Sequence, residues 1–323
     1  MQNPFSDLEN QPVVLPRVSI VLAVYNEEAC LAQELEIIRQ AMDRSSHTYE
    51  VIVVDDGSED RTAAILQEHP WVRVIRHRRN RGSGAARKTG TLAARGEIVV
   101  WSDVDLTYPN RLIPELVDLL DAQGYDQVVG ARKTEEGTWP LLRVPAKFLI
   151  RRLACFLADS EIPDLNSGLR AFRREVAMRY IDLLPAGFSC VTTLTLAFLC
   201  NGYRIGYLPI QYQQRIGRSK FHPIKDTYKY ILQVMRMVLC FAPLRVFMPI
   251  ALAMVLGGVA SSMINFGRQH TIQEMDIILL VVGVLVGVVG LLAELIVLQA
   301  KRLERLRDPT AQHRGERAEH DYR

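Results

Sequence analysis

The five cysteines form no CxxC pair and no zinc-ligand spacing: Cys30, Cys155, Cys190, Cys200 and Cys240 are scattered along the chain. This excludes a zinc ribbon and a thioredoxin-like motif, and reads as reduced thiols in a cytosolic protein. Residues 1–16 lack the apolar core of a signal peptide, and 1–15 read as a flexible N-terminus. Neither charge sign dominates: 39 Lys and Arg against 36 Asp and Glu leave +3, so basic residues matter through position rather than total. No stacked-aromatic or helix-turn-helix pattern points to nucleic acid. Neither a Walker loop nor a GxGxxG turn is present, and no internal repeat is found.

What is present is an alternation. Apolar, Val- and Ile-rich runs at 18–24, 51–54, 72–75, 98–101 and 127–129 are nearly continuous and bounded by turn residues, as in strands buried on both faces. Helix-like segments at 27–44, 61–68, 84–94 and 113–120 separate them. The expected fold is therefore α/β with a mostly parallel sheet, and ligands are expected outside the carboxyl ends of the strands.

Polar residues gather at those ends. Tyr25-Asn26-Glu27-Glu28 follows the first strand, Asp55-Asp56-Gly57-Ser58 the second, and Ser102-Asp103-Val104-Asp105 the fourth. Two carboxylates one residue apart at the mouth of a buried strand make a poor core and a good site for a hard divalent cation. Helix capping by Asn26 and Ser58 is the alternative reading of their loops, but it leaves the paired acids unexplained. The turn Arg78-Arg79-Asn80-Arg81-Gly82-Ser83-Gly84-Ala85-Ala86-Arg87-Lys88 enters a helix whose N–H groups favour a phosphate, although taken alone a surface basic run is the better reading.

In combination these residues resemble glycosyltransferase family 2, inverting enzymes with a GT-A fold. The motifs are Val24-Tyr25-Asn26-Glu27, Val54-Asp55-Asp56-Gly57-Ser58, Asn80-Arg81-Gly82 and Asp103-Val104-Asp105. Asp164-Leu165-Asn166-Ser167-Gly168-Leu169-Arg170 and Arg215-Ile216-Gly217-Arg218-Ser219-Lys220 resemble its polyprenyl- or dolichyl-phosphate sugar synthases. Val104 stands where many members carry Ala. The resemblance implies a nucleotide site at Ala23, Tyr25, Glu27, Asp56, Arg81, Gly82, Asp103 and Val104. Tyr25 would stack on the base and Asp56 would hydrogen-bond it. Mg2+ or Mn2+ would sit on Asp105, with Asp103 reaching it through water or holding the ribose. Asp103, Asp105 and Asp164 are the candidate catalytic residues, Asp164 orienting the sugar or a clamp arginine. Arg132, Arg143, Arg215, Arg218 and Lys220 are the candidates for the acceptor phosphate.

The C-terminal third supplies a separate reason for a lipid acceptor. Residues 246–266 carry no charge and 277–298 only Glu294. Each run is long enough to cross a hydrocarbon core of roughly 30 Å as a helix. Arg236, Arg245, Lys301, Arg302, Arg305 and Arg307 flank the pair outside, whereas Arg268, Glu274 and Asp276 lie between the runs. The positive-inside rule places both termini and the catalytic domain in the cytoplasm, in an inner-membrane protein. Glu294 is expected near the inner headgroups, and Gly283, Gly287 and Gly290 allow close helix packing or a homo-oligomer. Residues 139–157 and 221–237 read as basic amphipathic stretches for a membrane surface, or equally as helices packed on the sheet. The expected domains are a catalytic part over 16–220, a juxtamembrane part over 221–245, two spans within 246–298, and a polar tail over 299–323.

The expected function is transfer of a sugar from a nucleotide-diphosphate sugar to a polyprenyl phosphate. A polysaccharide-extending synthase of the same fold is the alternative enzyme, although Gln211-Tyr212-Gln213-Gln214-Arg215-Ile216 lacks the Trp that class typically carries. An inactive nucleotide-sugar-binding scaffold is a third reading, against which the intact carboxylate pair speaks.

Overall fold

The computed structural model describes residues 15–132, 162–187, 189–213, 235, 236, 239 and 242–307. Outside them fall Arg143, Arg215, Arg218 and Lys220, the stretch 139–157, nearly all of 221–237, and the two ends of the chain. Among the described residues seven strands form one sheet: β1 (Val18–Val24), β2 (Tyr49–Asp55), β3 (Arg73–Arg76), β4 (Ile98–Ser102), β5 (Gln127–Arg132), β6 (Arg170–Arg173) and β7 (Ile205–Ile210). Their order is β3-β2-β1-β4-β6-β5-β7, and β6 alone runs antiparallel, against both β4 and β5. The strand order turns between β1 and β4, so the loops after β1, β2 and β4 share one rim, where open α/β sheets hold ligands.

The Val/Ile runs behave as two-sided strands because helices cover both faces; Val18, Ile20, Val21, Leu22 and all of Ile98–Ser102 are fully buried. Helix α1 (Leu31–Asp43) buries Leu31, Glu34, Leu35, Ile38 and Met42 along one stripe. Helices α2 (Thr62–Gln67), α3 (Ser83–Ala93) and α4 (Ile113–Ala122) complete the crossovers. The expected start of α1 at Glu27 is corrected. Asn26 has φ +51 and turns the chain, so α1 begins only at Leu31. Neither α1 nor α2 has a side-chain cap. Instead Asn26 N–H donates to Ser58 Oγ at 3.0 Å and Glu59 N–H to Asn26 Oδ1 at 2.8 Å, lacing the first two loops together.

Two strands and two helices escaped the periodicity argument. β6 is only Arg-Ala-Phe-Arg, with α5 (Arg174–Tyr180) directly after it. β7 contains Gly206 and Pro209 and pairs only with β5, an edge position where Pro costs no ladder bond. Helix α6 (Cys190–Cys200) is buried almost throughout, so it shows no amphipathic period.

The described residues divide into two compact units, this sheet and a C-terminal helical hairpin. The hairpin consists of α7 (Leu244–Gln269) and α8 (Glu274–Arg307), both long and apolar enough to cross a membrane. Their outer faces expose Leu256, Met263, Val284, Leu285 and Ile296, each more than half accessible. The glycine stripe of α8 is used inside the pair. A Cβ on Gly290 would lie 2.6 Å from the Phe247 Cβ, and one on Gly283 2.9 Å from Val255. Two carboxylates of α8, Asp276 and Glu294, find partners within the hairpin. Asp276 accepts from Ser261 Oγ at 2.6 Å and Asn265 Nδ2 at 2.9 Å, and Glu294 accepts the N–H of Leu244 at 3.2 Å.

Helix α3 lies so close to β1 that a Cβ on Gly90 would meet Val21 Cγ1 at 2.2 Å. Val21 is β-branched and fully buried, so it cannot yield. Gly90→Ala is expected to lower the thermal unfolding midpoint of the detergent-solubilised chain. Overpacking costs about 1–3 kcal/mol and outweighs the helix-propensity gain of about 1 kcal/mol.

Candidate active site

The rim is built from carboxylates that first organise backbone. Asp55 accepts from Ser58 N–H at 2.8 Å and pairs with Arg76 at 3.1 Å. Asp56 is buried; its oxygens accept from Arg81 N–H at 3.0 Å and Gly82 N–H at 2.7 Å. His77 Nδ1 lies 2.6 Å from Asp56, so that nitrogen carries the proton, and Nε2 lies 3.0 Å from Thr89 Oγ1. Asp56 thus holds the Asn80-Arg81-Gly82 turn from beneath, and a contact to a base would have to share oxygens already engaged. Above it opens a cleft of about 480 Å³ lined by Tyr25, Gly57, His77, Arg79 and Asn80. Gly57 has φ +76, and a Cβ there would strike the Arg79 backbone at 2.8 Å. Ala23 lies on β1 beside Val54, and Glu27 N–H donates to Thr62 Oγ1 at 3.2 Å.

The entrance to α3 departs from expectation. A phosphate was expected at its N-terminal N–H groups, but Ala85 N–H donates to Ala186 O at 3.1 Å. A Cβ on Gly84 would lie 2.1 Å from Pro185 O. These glycines let segment 185–187 pack on the helix end, and that segment takes the place expected for an anion.

One turn further along α3, buried Arg87 donates to Asp103 Oδ1 at 2.6 Å, its guanidinium 5.7 Å from the Trp101 ring centre. Burial alone would weaken this charge, but Asp103 outweighs it and holds Arg87 firmly protonated. Nearby Arg170 is wholly buried and donates to Ser167 O, to Val191 O at 2.7 Å and to Thr195 Oγ1 at 2.8 Å. Burial, then the Arg87 charge, pushes its pKa down to about 10, still charged at neutral pH. Asp103 therefore pairs with one buried guanidinium, and a second lies close enough to that one for their charges to interact.

Asp105 is nearly buried and accepts from both the N–H and the hydroxyl of Thr107, at 3.3 and 2.5 Å. Between them Leu106 has φ +60, left-handed and unusual for its side chain. Val104 is buried in the core beneath the loop. Behind the loop lies Glu34, whose carboxyl burial pushes up to about 7, only partly opposed by the Asn110 hydrogen bond and the Leu106 backbone.

Arg132 at the end of β5 grips Asp164 with two side-chain bonds, 2.6 and 2.9 Å, while its N–H adds a third at 3.2 Å. Burial alone would raise the Asp164 pKa; the bonds and charge of Arg132 prevail and hold it below the usual carboxylate range. The Arg132 guanidinium lies 5.3 Å from the Tyr212 ring centre, and Tyr212 meets Tyr108 edge-on at 5.2 Å. Tyr108 OH accepts from Gly168 N–H at 2.8 Å, and Gln213 N–H donates to Thr107 O at 3.0 Å. Asp103, Asp105, Arg132 and Asp164 are thus tied into one wall.

Glu34, His77, Arg87, Tyr108 and Tyr212 were missed as site residues. Glu34 carried a signal: it interrupts the apolar stripe Leu31, Leu35, Ile38, Met42. Tyr108 carried none, and Arg87 stood only as part of the basic turn; tertiary packing alone buries both.

The sheet order and this rim are those of an α/β domain with a polar ligand site at its switch point, and comparison with known proteins identifies the class. The chain matches Glycosyl transferase family 2 over residues 19–181 and a GtrB C-terminal hairpin over 242–297. It belongs to glycosyl transferase family 2 and is a glycosyltransferase. It is 34% identical over 207 residues to a dolichyl-phosphate hexose transferase of Haloferax volcanii, covering 64% of this chain and 87% of that one. It is 31% identical over 267 residues to an undecaprenyl-phosphate 4-deoxy-4-formamido-L-arabinose transferase of Pseudomonas syringae, covering 77% and 73%. Against a transferase of that name from Aeromonas hydrophila, identity is 38% over 165 residues, and the chain spans about half of that relative's length (49%). Glucosyl-3-phosphoglycerate synthase of Mycobacterium tuberculosis, solved with Mn2+ and uridine-diphosphate-glucose, shares the fold: TM-score 0.53, 23% identity, covering 69% of this chain and 79% of that one.

The Glu34 carboxyl yields a pH prediction. Its pKa is raised in the folded state, so its contribution to stability is full below about pH 4.5 and is lost as pH rises through about 7. Glu34→Gln has no proton to lose. In metal-free buffer its melting temperature should match wild type near pH 4.5 and exceed it increasingly towards pH 8.5.

Proposed function

We propose that this protein transfers a sugar, with inversion, from a nucleotide-diphosphate sugar to the phosphate of a polyprenyl phosphate, at the cytoplasmic face of the membrane. The observation that carries the reading is the single wall joining the acidic Asp103–Asp105 loop to the Arg132–Asp164 pair. One end suits a cation-bound diphosphate and the other an anionic acceptor. The apolar hairpin and the relatives named for dolichyl and undecaprenyl phosphate support a lipid as that acceptor.

The residues present fit a divalent cation. Asp105 and Asp103 offer hard oxygen donors, and no cluster of three or more metal-ligating side chains occurs among the described residues. That small donor set suits Mg2+ or Mn2+ held by one or two carboxylates and completed by substrate phosphates and water. When bound, such an ion stabilises negative charge gathering on the departing nucleotide diphosphate. Asp105 holds it and Asp103, anchored by Arg87, orients it or the ribose. Tyr25 stacks on the base over the cleft, with Ala23, Glu27, Asp56, Arg81, Gly82 and Val104 shaping the pocket. Asp164 fixes Arg132 so that its guanidinium faces the acceptor phosphate together with Arg143, Arg215, Arg218 and Lys220. A phosphate monoester has a second pKa of about 6, so the acceptor is largely dianionic at neutral pH and needs no strong protein base. The protein's work is to hold two anions in line against their repulsion.

Replacing Asp105 by Asn should reduce transfer by orders of magnitude while leaving the melting temperature close to wild type. EDTA should abolish wild-type transfer and Mn2+ or Mg2+ restore it, measured by product mass with undecaprenyl phosphate and a panel of nucleotide sugars. Full activity in chelator would refute the metal assignment.

Arg218→Ala and Lys220→Ala test the acceptor clamp. Loss of a charge-assisted hydrogen bond, about 1.5–3 kcal/mol, should lower kcat/KM for the lipid roughly ten- to hundredfold. Nucleotide affinity by calorimetry should hardly change. Lost donor affinity with acceptor dependence intact would assign these residues to the diphosphate instead.

A further inference from the structure

A carboxyl group in the apolar stripe of α1 needs a reason. Leu31, Leu35 and Ile38 surround Glu34 on that stripe, and Glu34 is 1% exposed. A leucine would satisfy the pattern and avoid the penalty of burying a polar group. Glu34 Oε1 makes no well-formed hydrogen bond. Its other oxygen accepts from Asn110 Nδ2 at 2.7 Å. The same Nδ2 donates to the backbone carbonyl of Asp103 at 3.2 Å, while Asn110 Oδ1 accepts from Ser102 Oγ at 2.5 Å. Ser102 and Asn110 are as buried as Glu34. A chain of fixed polar contacts thus runs from the first turn of a core helix to the first peptide of the acidic loop.

That loop needs an external hold. Leu106 occupies the left-handed region at φ +60 between Asp105 and Thr107, a conformation that persists only where its surroundings over-determine it. Thr107 secures the Asp105 carboxylate from one side. On the other side Asn110 is a side-chain donor to the loop backbone, and Glu34 fixes which way its amide points.

We propose that Glu34 is a positioning residue for the cation site: by orienting Asn110 against the Asp103 carbonyl, it sets the directions in which the Asp103 and Asp105 carboxylates face. The inference rests on the metal-dependent reading given above. It makes the acceptor oxygen, rather than a negative charge, the working part of Glu34, so glutamine can replace it and leucine cannot.

The test measures Mn2+ binding to the full chain in detergent with UDP as the probe nucleotide, following the electron paramagnetic resonance signal of free Mn2+, alongside melting temperatures without metal. Outer partners of metal ligands typically contribute ten- to hundredfold in affinity, so Glu34→Leu should weaken Mn2+ binding about tenfold or more. Glu34→Gln should restore it close to wild type. Asn110→Ser, which shortens the bridge while staying polar, should reproduce the loss. Wild-type affinity in a folded Glu34→Leu protein overturns the proposal, as does a loss in Glu34→Gln equal to that in leucine. If Glu34→Leu does not fold, wild-type affinity in Asn110→Ser overturns it alone. Absence of Mn2+ binding by the wild-type protein would instead remove the metal-dependent reading on which the inference stands.

Discussion

The ion pair between Arg87 and Asp103 connects the scaffold to the chemistry. Arg87 stands on α3, which packs on β1 through Gly90, and its guanidinium lies beside Trp101 at the centre of β4. Trp101 is itself pinned, its Nε1–H donating to Thr91 Oγ1 at 2.9 Å and its ring meeting Phe172 edge-on at 5.0 Å. With Arg87 buried and Asp103 partly exposed the pair adds little net stability over well-packed apolar residues, yet losing the carboxylate would strand the buried guanidinium at a cost of up to about 3–5 kcal/mol. Its use is geometric. It fixes a half-exposed carboxylate at the mouth of β4, and Gly168 must be a glycine because a Cβ would lie 2.6 Å from that carboxylate.

From that fixed point order spreads through short contacts. The Asp103 carbonyl is held through Asn110, Asp105 through Thr107, and Thr107 O accepts from Gln213 N–H, which brings Tyr212 to Arg132. The hairpin solves a separate problem with the same economy of polar groups. Glu294 takes the N–H of Leu244, one of the donors that a helix start leaves unsatisfied, and Asp276 gathers Ser261 and Asn265 near the opposite turn. Between these two polar ends the contact is apolar and tight, with glycines meeting Phe247 and Val255.

The legible part of the sequence was the part governed by local pattern. Continuous Val/Ile runs gave β1, β2 and β4 closely, because strands covered on both faces have no alternation to lose. The two long apolar runs gave α7 and α8 for a comparable reason of length. The acidic loop was legible too: Asp103 and Asp105 follow β4, as the apolar run before them implies, whereas the pairing of Arg132 with Asp164 appears only in the fold. What stayed hidden depends on who is buried with whom. Arg170 reads in the sequence only as the end of a motif and Arg87 as part of a basic turn, and only tertiary packing buries both and brings their charges together. Asp56 read as a base contact, whereas its oxygens hold the Arg81-Gly82 turn and His77. β7 was obscured by a proline that only an edge strand tolerates.

Under the proposed function, the charge arrangement would let one rim receive two negatively charged substrates. Asp103 and Asp105 alone would repel a diphosphate. Arg87 offsets Asp103 directly, and Arg170, which donates to Ser167 O, Val191 O and Thr195 Oγ1, adds a second buried cation on which Asp164 acts only through its field. At Arg132 the balance differs: Asp164 consumes much of the guanidinium's hydrogen-bonding capacity, and the Tyr212 ring takes up one face. An arginine restrained in this way loses little side-chain freedom when an anion arrives, whereas a mobile surface arginine would have to give that freedom up. In the proposed reaction, pre-orientation of the cations, with the site's carboxylates held in place before substrate enters, would bring two repelling phosphates into line without a strong base.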